Sequence, residues 1–338
     1  MNIQKNYPLK NLNTFGIDVK AQLFSEIKSD EQLQLILTDE NFKHIPKFIL
    51  GGGSNVLFTQ DFPGLVIKNS IMGVEIIQED KDSVLIKAGA GEVWHELVLF
   101  CIEKGFGGIE NLSLIPGTVG AAPMQNIGAY GQEIKNVFEY LEGFEINSGE
   151  KKRFNSGQCK FEYRDSIFKH ELRNKFVITT VVVKLSKNPV LKLDYGTIRS
   201  EIEKLNLPEI TIRTVSEIVC KIRKSKLPDP AQIGNAGSFF KNPEVDKNTY
   251  KKLKKEFPEI PGFKLENNLV KMPAAWLIER CGWKGKRVGN TGSHVNHALV
   301  LVNYGDATGF EILTLADKIK ESVKGKFWIE LEEEINII

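Results

Sequence analysis

Residues 234–243 read Gly234-Asn235-Ala236-Gly237-Ser238-Phe239-Phe240-Lys241-Asn242-Pro243, and this stretch carries the most information about the chain. A lone serine between a glycine and two phenylalanines predicts a tight turn that holds a hydroxyl beside an apolar wall. Two other glycine-rich runs lie far away in the sequence, at residues 51–55 and 115–120. The three runs together indicate a large ligand held by backbone amides and a small reactive group presented to a serine. This pattern is typical of an enzyme.

The length and composition describe an ordinary globular chain with more than one domain. At 338 residues the chain is too long for one simple core, so two or three domains are expected. Lys and Arg number 45 against 43 Asp and Glu, which gives a net charge of only +2. This balance gives no indication of a nucleic-acid surface, and no apolar run reaches the length of a membrane span. We therefore expect neither nucleic acid nor membrane as a partner.

The cysteines and histidines do not form a metal-binding pattern. His294 and His297 are three residues apart but lack a third ligand, so we interpret them as structural or solvent-facing and predict no metal. The four cysteines show no close pairs that would suit a zinc site or a disulfide scaffold: Cys101, Cys159, Cys220 and Cys281. The polar amino terminus carries no secretion signal. A cytoplasmic protein with reduced thiols is expected.

Local patterns predict mixed strands and helices, which indicates an α+β fold rather than a regular doubly wound sheet. Two prolines around Asp229 predict a hinge just before the serine stretch. Strands are predicted at residues 48–50, 65–67, 74–77, 84–87, 176–186, 298–303 and 327–338, the fifth of them well buried because it is rich in β-branched residues. Helices are predicted at residues 92–104, 274–281 and 310–323.

The two earlier glycine runs suit different parts of a ligand. Residues 51–55 (Gly-Gly-Gly-Ser-Asn) follow a strand, and successive amides there can form an anion-binding nest that approaches a diphosphate closely. The run matches neither a Walker loop nor a Rossmann turn, and a plain surface turn is the alternative. Residues 115–133 carry almost no charge, which predicts burial against something flat, and Gln125 and Asn126 offer amides for the edge of a heterocycle. A packed Ω-like loop is the alternative there.

Seven stretches of the sequence resemble the UDP-N-acetylenolpyruvoylglucosamine reductase family, flavoenzymes of bacterial cell-wall precursor synthesis. Together they span nearly the whole chain in the family's order. Its length, and Tyr195 within Leu-Asp-Tyr-Gly, resemble the longer of the family's two subclasses. The matching stretches are residues 13–16 (Asn-Thr-Phe-Gly), 51–57, 115–133, 163–166 (Tyr-Arg-Asp-Ser), 226–230, 234–243 and 331–338.

The resemblance implies an α+β fold with a two-domain FAD-binding module of the PCMH type, like that of vanillyl-alcohol oxidase, and a smaller α+β substrate-binding domain. The expected boundaries are residues 1–70 and 71–227 for the two FAD subdomains and 228–326 for the substrate domain, with a strand at 327–338 returning to the first. FAD is expected to bind non-covalently, because no His or Cys stands in an obvious tethering position. The expected flavin contacts are Gly51, Gly52, Gly53, Ser54, Asn55, Ile115, Pro116, Gly117, Gly120, Gln125, Asn126, Ile127 and Arg223.

The implied reaction has two halves: NADPH reduces the flavin and leaves, and the enolpyruvyl sugar nucleotide takes its place. Hydride adds to the terminal carbon of the enol ether, and negative charge develops beside the carboxylate. Arg164 is the expected partner of that charge, because its planar fork binds a carboxylate bidentately. From the residues alone, a surface ion pair between Arg164 and Asp165 is the alternative. Ser238 is the expected proton donor, and a turn residue bonding its own backbone is its alternative.

Glu334 is the third expected catalytic residue. Strand alternation would place Glu330, Glu332 and Glu334 on one face, where charge normally means solvent. The resemblance selects Glu334 as a carboxyl that donates a hydrogen bond to the substrate, provided that its site is apolar. Glu333 departs from the family pattern, in which proline or arginine is common, so Glu332 is the fallback. The expected substrate contacts are Tyr130, Tyr195, Lys226 and Asn242.

Three functions are compatible with these features. The first is the NADPH-dependent reductase, expected as a monomer. The second is an FAD-linked oxidase of the same fold that acts on a sugar or hydroxy acid, which would not need the set Arg164, Ser238 and Glu334. The third is a flavin- or nucleotide-binding protein without turnover.

Overall fold

The computed structural model describes residues 2–195, 197–205, 208–265 and 268–338. Within these ranges the strands in chain order are β1 (Gln4–Pro8), β2 (Lys20–Ile27), β3 (Lys47–Leu50), β4 (Val56–Leu57), β5 (Phe62–Asn69), β6 (Val74–Glu79), β7 (Ser83–Gly89), β8 (Gly128–Ala129), β9 (Gln132–Glu133), β10 (Phe138–Glu145), β11 (Lys151–Asn155), β12 (Phe176–Ser186), β13 (Gly234–Ser238), β14 (Glu244–Asp246), β15 (Phe263–Lys264), β16 (Leu269–Lys271), β17 (Arg287–Val288), β18 (Thr291–Ser293), β19 (Val300–Asn303) and β20 (Asn336–Ile337). The α-helices are α1 (Asp30–Thr38), α2 (Trp94–Glu103), α3 (Ser156–Cys159), α4 (Ile198–Glu203), α5 (Ile212–Lys226), α6 (Lys247–Glu256), α7 (Ala274–Arg280) and α8 (Gly309–Phe327). The mixed order confirms the predicted α+β class.

The chain divides into two compact units, neither of which is continuous in sequence. The first unit consists of Met1–Tyr7, Ala21–Gly52 and Phe62–Lys224. The second unit consists of Pro8–Lys20, Gly53–Asp61 and Ser225–Ile338. The final passage from the first unit to the second therefore lies close to the hinge predicted before residue 228.

Two large sheets build most of the described part of the first unit, and β8 and β9 pair as a separate small hairpin. The strand order of one sheet is β1-β2-β5-β3, with β2 and β3 both parallel to β5. The other sheet has the order β11-β10-β12-β7-β6 and is antiparallel throughout. Every residue from Phe176 to Val183 in β12 is buried, which confirms the predicted buried strand.

One apolar cluster joins these two sheets. The Ser29 side chain caps α1 by accepting a hydrogen bond from Gln32 N–H, and three buried residues at helical spacing face the sheet. The same cluster includes Phe144 and Val177 from the antiparallel sheet. Residues 1–70 and 71–227, expected as separate subdomains, thus share a core. The apolar face of α1 consists of Leu33, Ile36 and Leu37.

In its described residues the second unit has three small sheets and one long helix, α8. Their orders are β13-β19-β18-β17, β14-β16-β15 and β20-β4, and the last pair is parallel. A capping box begins α8, in which the Thr308 hydroxyl accepts from Glu311 N–H and the Glu311 carboxylate accepts from Thr308 N–H. The pairing of β20 with β4 connects the end of the chain to residues 56–57, far away in sequence.

The prediction of a continuous strand over residues 327–338 is wrong. Phe327 is the last residue of α8, and Trp328 ends the helix in the left-handed region at φ +56°. Only Asn336–Ile337 forms a regular strand. The predicted alternation still describes burial, since Ile329, Leu331 and Ile335 are buried. An apolar alternation of this kind fixes which side chains face the core, but the ladder also requires a partner strand along its whole length.

Two glycines of α8 should respond in opposite directions to the same substitution. A Cβ on Gly309 would lie 1.8 Å from the Phe58 carbonyl oxygen, whereas a Cβ on Gly325 meets nothing within 4 Å. We expect Gly309→Ala to lower the free energy of unfolding by about 2–3 kcal/mol and Gly325→Ala to raise it by about 0.5–1 kcal/mol. Urea unfolding of both variants tests this, and equal effects would contradict the close packing of the helix start.

Candidate active site and flavin-binding loops

A bulge interrupts the strand that carries Ser238. β13 pairs antiparallel with β19, and the register slips between Asn235 and Ser238. Gly237 lies at φ +72°, a conformation that suits glycine. The buried Asn235 side chain accepts a hydrogen bond from Gly237 N–H at 3.0 Å. Because a bulge redirects the side chain next to it, Asn235 and Gly237 set the direction of the half-buried Ser238 hydroxyl.

The C-terminal segment pairs with the residues that follow Ser238. The Phe239 carbonyl accepts from Glu334 N–H at 2.8 Å, and Lys241 N–H donates to the Glu332 carbonyl at 2.9 Å. The pairing is antiparallel, so Glu334 lies opposite Phe239. The second unit thus brings Ser238 and Glu334, two of the predicted catalytic residues, to nearby positions on paired segments.

The three neighbouring glutamates have different surroundings. The Glu332 side chain is 76% exposed and lies 3.3 Å from Lys241 Nζ. Glu333 pairs with Lys320 at 2.7 Å, and this hydrogen bond raises the pKa of Lys320 above its ordinary value. Glu334 is partly buried. Glu332 is thus more exposed than Glu334, and the extra charge of Glu333 has its own cation.

The Asn-Thr-Phe-Gly stretch near the amino terminus supports the serine strand from the same unit. The Thr14 carbonyl accepts from Asn235 N–H at 3.0 Å, and the Phe15 carbonyl accepts from Asn303 Nδ2 at 2.9 Å. The Phe15 ring meets Phe239 edge-on, with 6.5 Å between centroids. These contacts explain why a motif so far from Ser238 in sequence belongs to the same site. The sequence shows the Asn-Thr-Phe-Gly motif, but no local pattern in it indicates that the motif supports the serine strand.

The other predicted ligand contacts in the second unit are of two kinds. Some of these residues form hydrogen bonds within the protein, and others are exposed. Asn55 Nδ2 donates to the Glu334 carbonyl at 3.4 Å, which ties the glycine turn to the C-terminal segment. Asn242 Oδ1 accepts from Ala274 N–H at 2.9 Å and so holds the start of α7. Lys226, the last residue of α5, is exposed. Gly53 and Ser54 also belong to this unit.

In the first unit, a left-handed backbone and a carbonyl partner hold Arg164. Its φ is +54°, and its Nη2 donates to the Gly128 carbonyl at 2.6 Å. The guanidinium carbon lies 5.5 Å from the centre of the Tyr163 ring. Asp165 pairs with His170 at 2.6 Å, so this carboxylate has a partner of its own. A bulky residue in this conformation is strained, which is common at functional sites.

Tyr130 lies at the tip of the β8–β9 hairpin. Tyr130 and Gly131 both have positive φ, at +49° and +78°, as a two-residue turn of type I′ requires. The Tyr195 ring stands edge-on to Tyr130 with 6.2 Å between centroids and is 58% exposed. Burial raises the pKa of Tyr130, and the charge of Arg223 opposes this shift. The partly buried Tyr130 ring and the exposed Tyr195 ring form an aromatic corner beside a cation.

Arg223 connects this corner to the loop at residue 115. Its Nε donates to the Leu114 carbonyl at 3.2 Å. Burial lowers the pKa of the Arg223 guanidinium, Tyr130 and Cys220 act in the opposite direction, and Arg164 lowers it further. The positive charges of Arg164 and Arg223 therefore repel each other, and an anionic ligand would relieve that repulsion.

The first two glycine runs touch each other within the first unit. A Cβ on Gly52 would lie 2.9 Å from Gly117 Cα, and a Cβ on Gly51 would lie 2.7 Å from Thr118 Oγ1. Lys68 Nζ donates to the Gly51 carbonyl. No described residue accepts a hydrogen bond from Gly52 N–H or Gly117 N–H. Two amide donors on touching glycine turns fit an anionic group such as a diphosphate.

The loop that begins at Ile115 forms an uncharged strip of backbone. Pro116 is exposed, Ile115, Gly117 and Gly120 are partly buried, and Ile127 is buried. Residues 115–132 contain no charged side chain. Such a strip suits contact with a flat, neutral ring system.

The side chain of Asn126 serves the loop itself. It is fully buried, and its Nδ2 donates to Glu133 Oε2 at 3.0 Å and to the Glu162 carbonyl at 2.8 Å. Its Oδ1 accepts from Lys135 N–H at 3.1 Å. The Asn126 amide therefore does not face a heterocycle as predicted, and a contact from this position would come from the backbone. Gln125 is partly buried.

Known proteins resemble this chain over its whole length. Residues 229–338 match the model of the C-terminal domain of UDP-N-acetylenolpyruvoylglucosamine reductase. A protein of that name from Flavobacterium johnsoniae is 50% identical over 339 residues, with 100% of both chains covered. The chain belongs to the UDP-N-acetylenolpyruvoylglucosamine reductase family. A member from Pseudomonas aeruginosa is 44% identical and covers 100% of this chain and 99% of its own.

The cofactor domain and the fold are supported separately. Residues 21–150 match the model of an FAD binding domain, which confirms the FAD prediction and includes both touching glycine turns. The crystal structure of the reductase from Thermus caldophilus has a TM-score of 0.68 at 25% identity and covers 100% of this chain and 99% of that one. A 4-ethylphenol oxidase from Gulosibacter chungangensis shares the fold, with a TM-score of 0.52 at 13% identity over 98% of this chain and 84% of its own. These likenesses confirm the predicted FAD-binding fold.

The described ranges contain neither a metal-binding cluster nor a membrane-spanning helix. No group of three or more His, Cys, Asp or Glu side chains placed to hold a metal ion occurs there. No helix in those ranges combines the length and apolar character needed to cross a bilayer.

Proposed function

We propose that the chain is an NADPH-dependent flavoenzyme that reduces UDP-N-acetylenolpyruvoylglucosamine to UDP-N-acetylmuramate, a precursor of peptidoglycan. The observation that carries the proposal is the 50% identity over both full lengths to a relative of that name. Supporting it are the FAD binding domain and the pairing that puts Glu334 opposite the residue after Ser238. When bound, FAD supplies the hydride that it has received from NADPH.

The first unit holds the flavin nucleotide in this proposal. The free amides of Gly52 and Gly117 donate to the diphosphate, and glycine at both positions permits the close approach. Ile115 and Pro116 would contact the flat ring, and Arg223 would supply positive charge beside them. FAD is expected to bind non-covalently and to be released when the protein is precipitated under denaturing conditions. Flavin that stays attached to the precipitated chain would contradict this expectation.

Arg164 carries the electrostatic part of the reaction. Negative charge develops next to the substrate carboxylate when hydride adds to the double bond, and a fixed guanidinium stabilises it without reorganisation. The bond to the Gly128 carbonyl at 2.6 Å holds the Arg164 fork in place before substrate arrives. In this proposal the Arg164 guanidinium binds the carboxylate of the substrate.

Ser238 supplies the proton. Its hydroxyl donates to the carbon that carries the developing charge, which is basic enough to accept from a weak acid. The bulge at Gly237, fixed by Asn235, aims the hydroxyl. Glu334, protonated, donates a hydrogen bond to the substrate and steadies the charge.

Replacement of the two candidate glutamates should separate their roles. We expect Glu334→Gln to lower kcat about 10²-fold or more, because an amide N–H is a much weaker acid than a carboxyl O–H and its hydrogen bond stabilises the developing charge less. Glu332→Gln should leave kcat within about twofold, because an exposed ion pair contributes little. Steady-state kinetics of both variants is the measurement. A large loss from Glu332→Gln with parental rates for Glu334→Gln would move the assignment to the fallback residue.

Charged, aromatic and amide side chains together hold the sugar nucleotide. Lys226, exposed, contacts the diphosphate as a point charge, and Tyr195 offers an exposed aromatic face beside Tyr130. Asn242, whose Oδ1 also holds Ala274 N–H, is the remaining proposed contact. We propose a monomer acting in the cytoplasm, where NADPH and UDP-sugars are found, with NADPH and the enol ether as its partners.

Product analysis tests the function directly. The purified protein is incubated with NADPH and UDP-N-acetylenolpyruvoylglucosamine without oxygen, and mass spectrometry follows the substrate. The proposal predicts UDP-N-acetylmuramate, heavier than the substrate by two hydrogens, in a one-to-one ratio with NADPH consumed. An oxidase of the same fold would form no product without oxygen, and a binding protein would consume no NADPH.

A further inference from the structure

His95 makes a contact that the reaction does not explain. It lies at the start of α2, and its Nδ1 accepts a hydrogen bond from Leu114 N–H at 3.0 Å. Leu114 has φ +58°, the left-handed region that a leucine rarely adopts. Arg223 Nε holds the carbonyl of the same residue at 3.2 Å. The side chains of His95 and Arg223 therefore bind the backbone N–H and the carbonyl of Leu114. This strained residue directly precedes the uncharged strip of backbone that begins at Ile115.

The hydrogen bonds of His95 determine its tautomer. A ring nitrogen that accepts from a peptide N–H carries no proton, so the proton of a neutral ring is on Nε2. Nε2 lies 3.9 Å from Cys220 Sγ, within reach of a weak hydrogen bond to sulfur. The His95 ring thus lies between the Cys220 thiol on α5 and the Leu114 backbone.

We propose that His95 is a positioning residue: in its neutral Nε2–H form it fixes the left-handed Leu114 peptide and so sets the place of the Ile115–Pro116 strip against the flavin. This rests on the proposed binding of FAD by that loop. Strained conformations persist only where their surroundings hold them, and His95 and Arg223 are those surroundings here. A protonated ring has no lone pair on Nδ1, so protonation breaks the contact.

The surroundings of His95 keep it neutral. Burial lowers the pKa of His95, Glu96 opposes the shift, and Lys224 and Arg223 add to it. Because the folded pKa lies below the ordinary value of 6.5, the folded protein takes up the proton less readily than the unfolded chain. The contact is therefore present above pH 6.5 and is lost as the pH falls through the lowered pKa.

Substitutions at His95 test the proposal on the purified holoprotein. His95→Leu removes the acceptor, and His95→Asn keeps an oxygen near the place of Nδ1. We expect FAD release on dilution, followed by flavin fluorescence, to be about tenfold faster in His95→Leu and within about threefold of parental in His95→Asn. His44→Leu, at an exposed histidine of the same unit, should change nothing. Acidification should speed release from the parental protein and leave His95→Asn flat.

A spectroscopic readout stands independently of FAD release. In the ¹⁵N-histidine spectrum of the parental protein, the resonance that His95→Asn removes should belong to a neutral Nε2–H ring near neutral pH. A proton on Nδ1, or parental FAD release from His95→Leu at every pH, would overturn the proposal. If the parental protein holds no FAD at all, the proposed function fails instead, while the tautomer still tests the contact with Leu114.

Discussion

Replacing Ser238 by alanine is expected to slow reoxidation of the reduced flavin by the enol ether about 10²–10⁴-fold. Reduction of the flavin by NADPH should stay within about threefold of parental, because no proton from Ser238 enters that half-reaction. Reoxidation slows because alanine has no hydroxyl proton to give to the carbon that receives the negative charge. Rapid mixing without oxygen measures each half-reaction separately through the flavin absorbance.

A conservative variant separates the lost proton from a disturbed bulge. Ser238→Cys keeps a side chain of similar shape with a transferable proton and should recover much of the reoxidation rate. Ser238→Ala turning over the enol ether at the parental rate would show that another group is the acid. Equal slowing of both half-reactions would point instead to damage at the bulge formed by Asn235 and Gly237.

Replacing Arg164 by lysine is expected to reduce the reoxidation rate about 10²-fold and to affect reduction by NADPH much less. Lysine keeps the charge but not the planar fork, and it cannot bind the Gly128 carbonyl and a carboxylate in the same geometry. The same rapid-mixing experiment measures the effect. Raising the substrate concentration should not restore the rate, because the loss lies in stabilising charge during the reaction.

Arg153→Lys is the matched control for this change. Arg153 is in the same unit, its side chain is 59% exposed, and it pairs with Glu142 at 2.5 Å. An exposed pair of this kind contributes little, so both half-reactions should be unchanged. If Arg164→Lys slowed both halves equally, Arg164 would have a structural role.

The local pattern of the sequence predicted those elements whose partners lie nearby or whose burial is complete. The helix predicted at 92–104 forms as Trp94–Glu103, and the one predicted at 310–323 extends to Gly309–Phe327. The β-branched run at 176–186 forms β12 with the predicted bounds. Period and side-chain type suffice in these cases, because each pattern has one structure that buries its apolar face.

Contacts between distant segments could not be read from the sequence. No local pattern indicates that Gly52 touches Gly117, or that Phe15 packs against Phe239 in a unit made mostly of residues after 225. The Asn126 prediction used residue type alone and missed the three internal hydrogen bonds that occupy its amide. His95 carries no motif, and only the left-handed Leu114 beside it reveals a role.

An anaerobic titration shows whether the enol ether takes the hydride from the reduced flavin. The protein is reduced with one equivalent of NADPH in the absence of oxygen, and UDP-N-acetylenolpyruvoylglucosamine is then added stepwise while the flavin absorbance is recorded. We expect the yellow band to bleach with NADPH and to return in full after one equivalent of the enol ether. If the band stays bleached until oxygen is admitted, the enol ether is not the substrate of the reduced flavin.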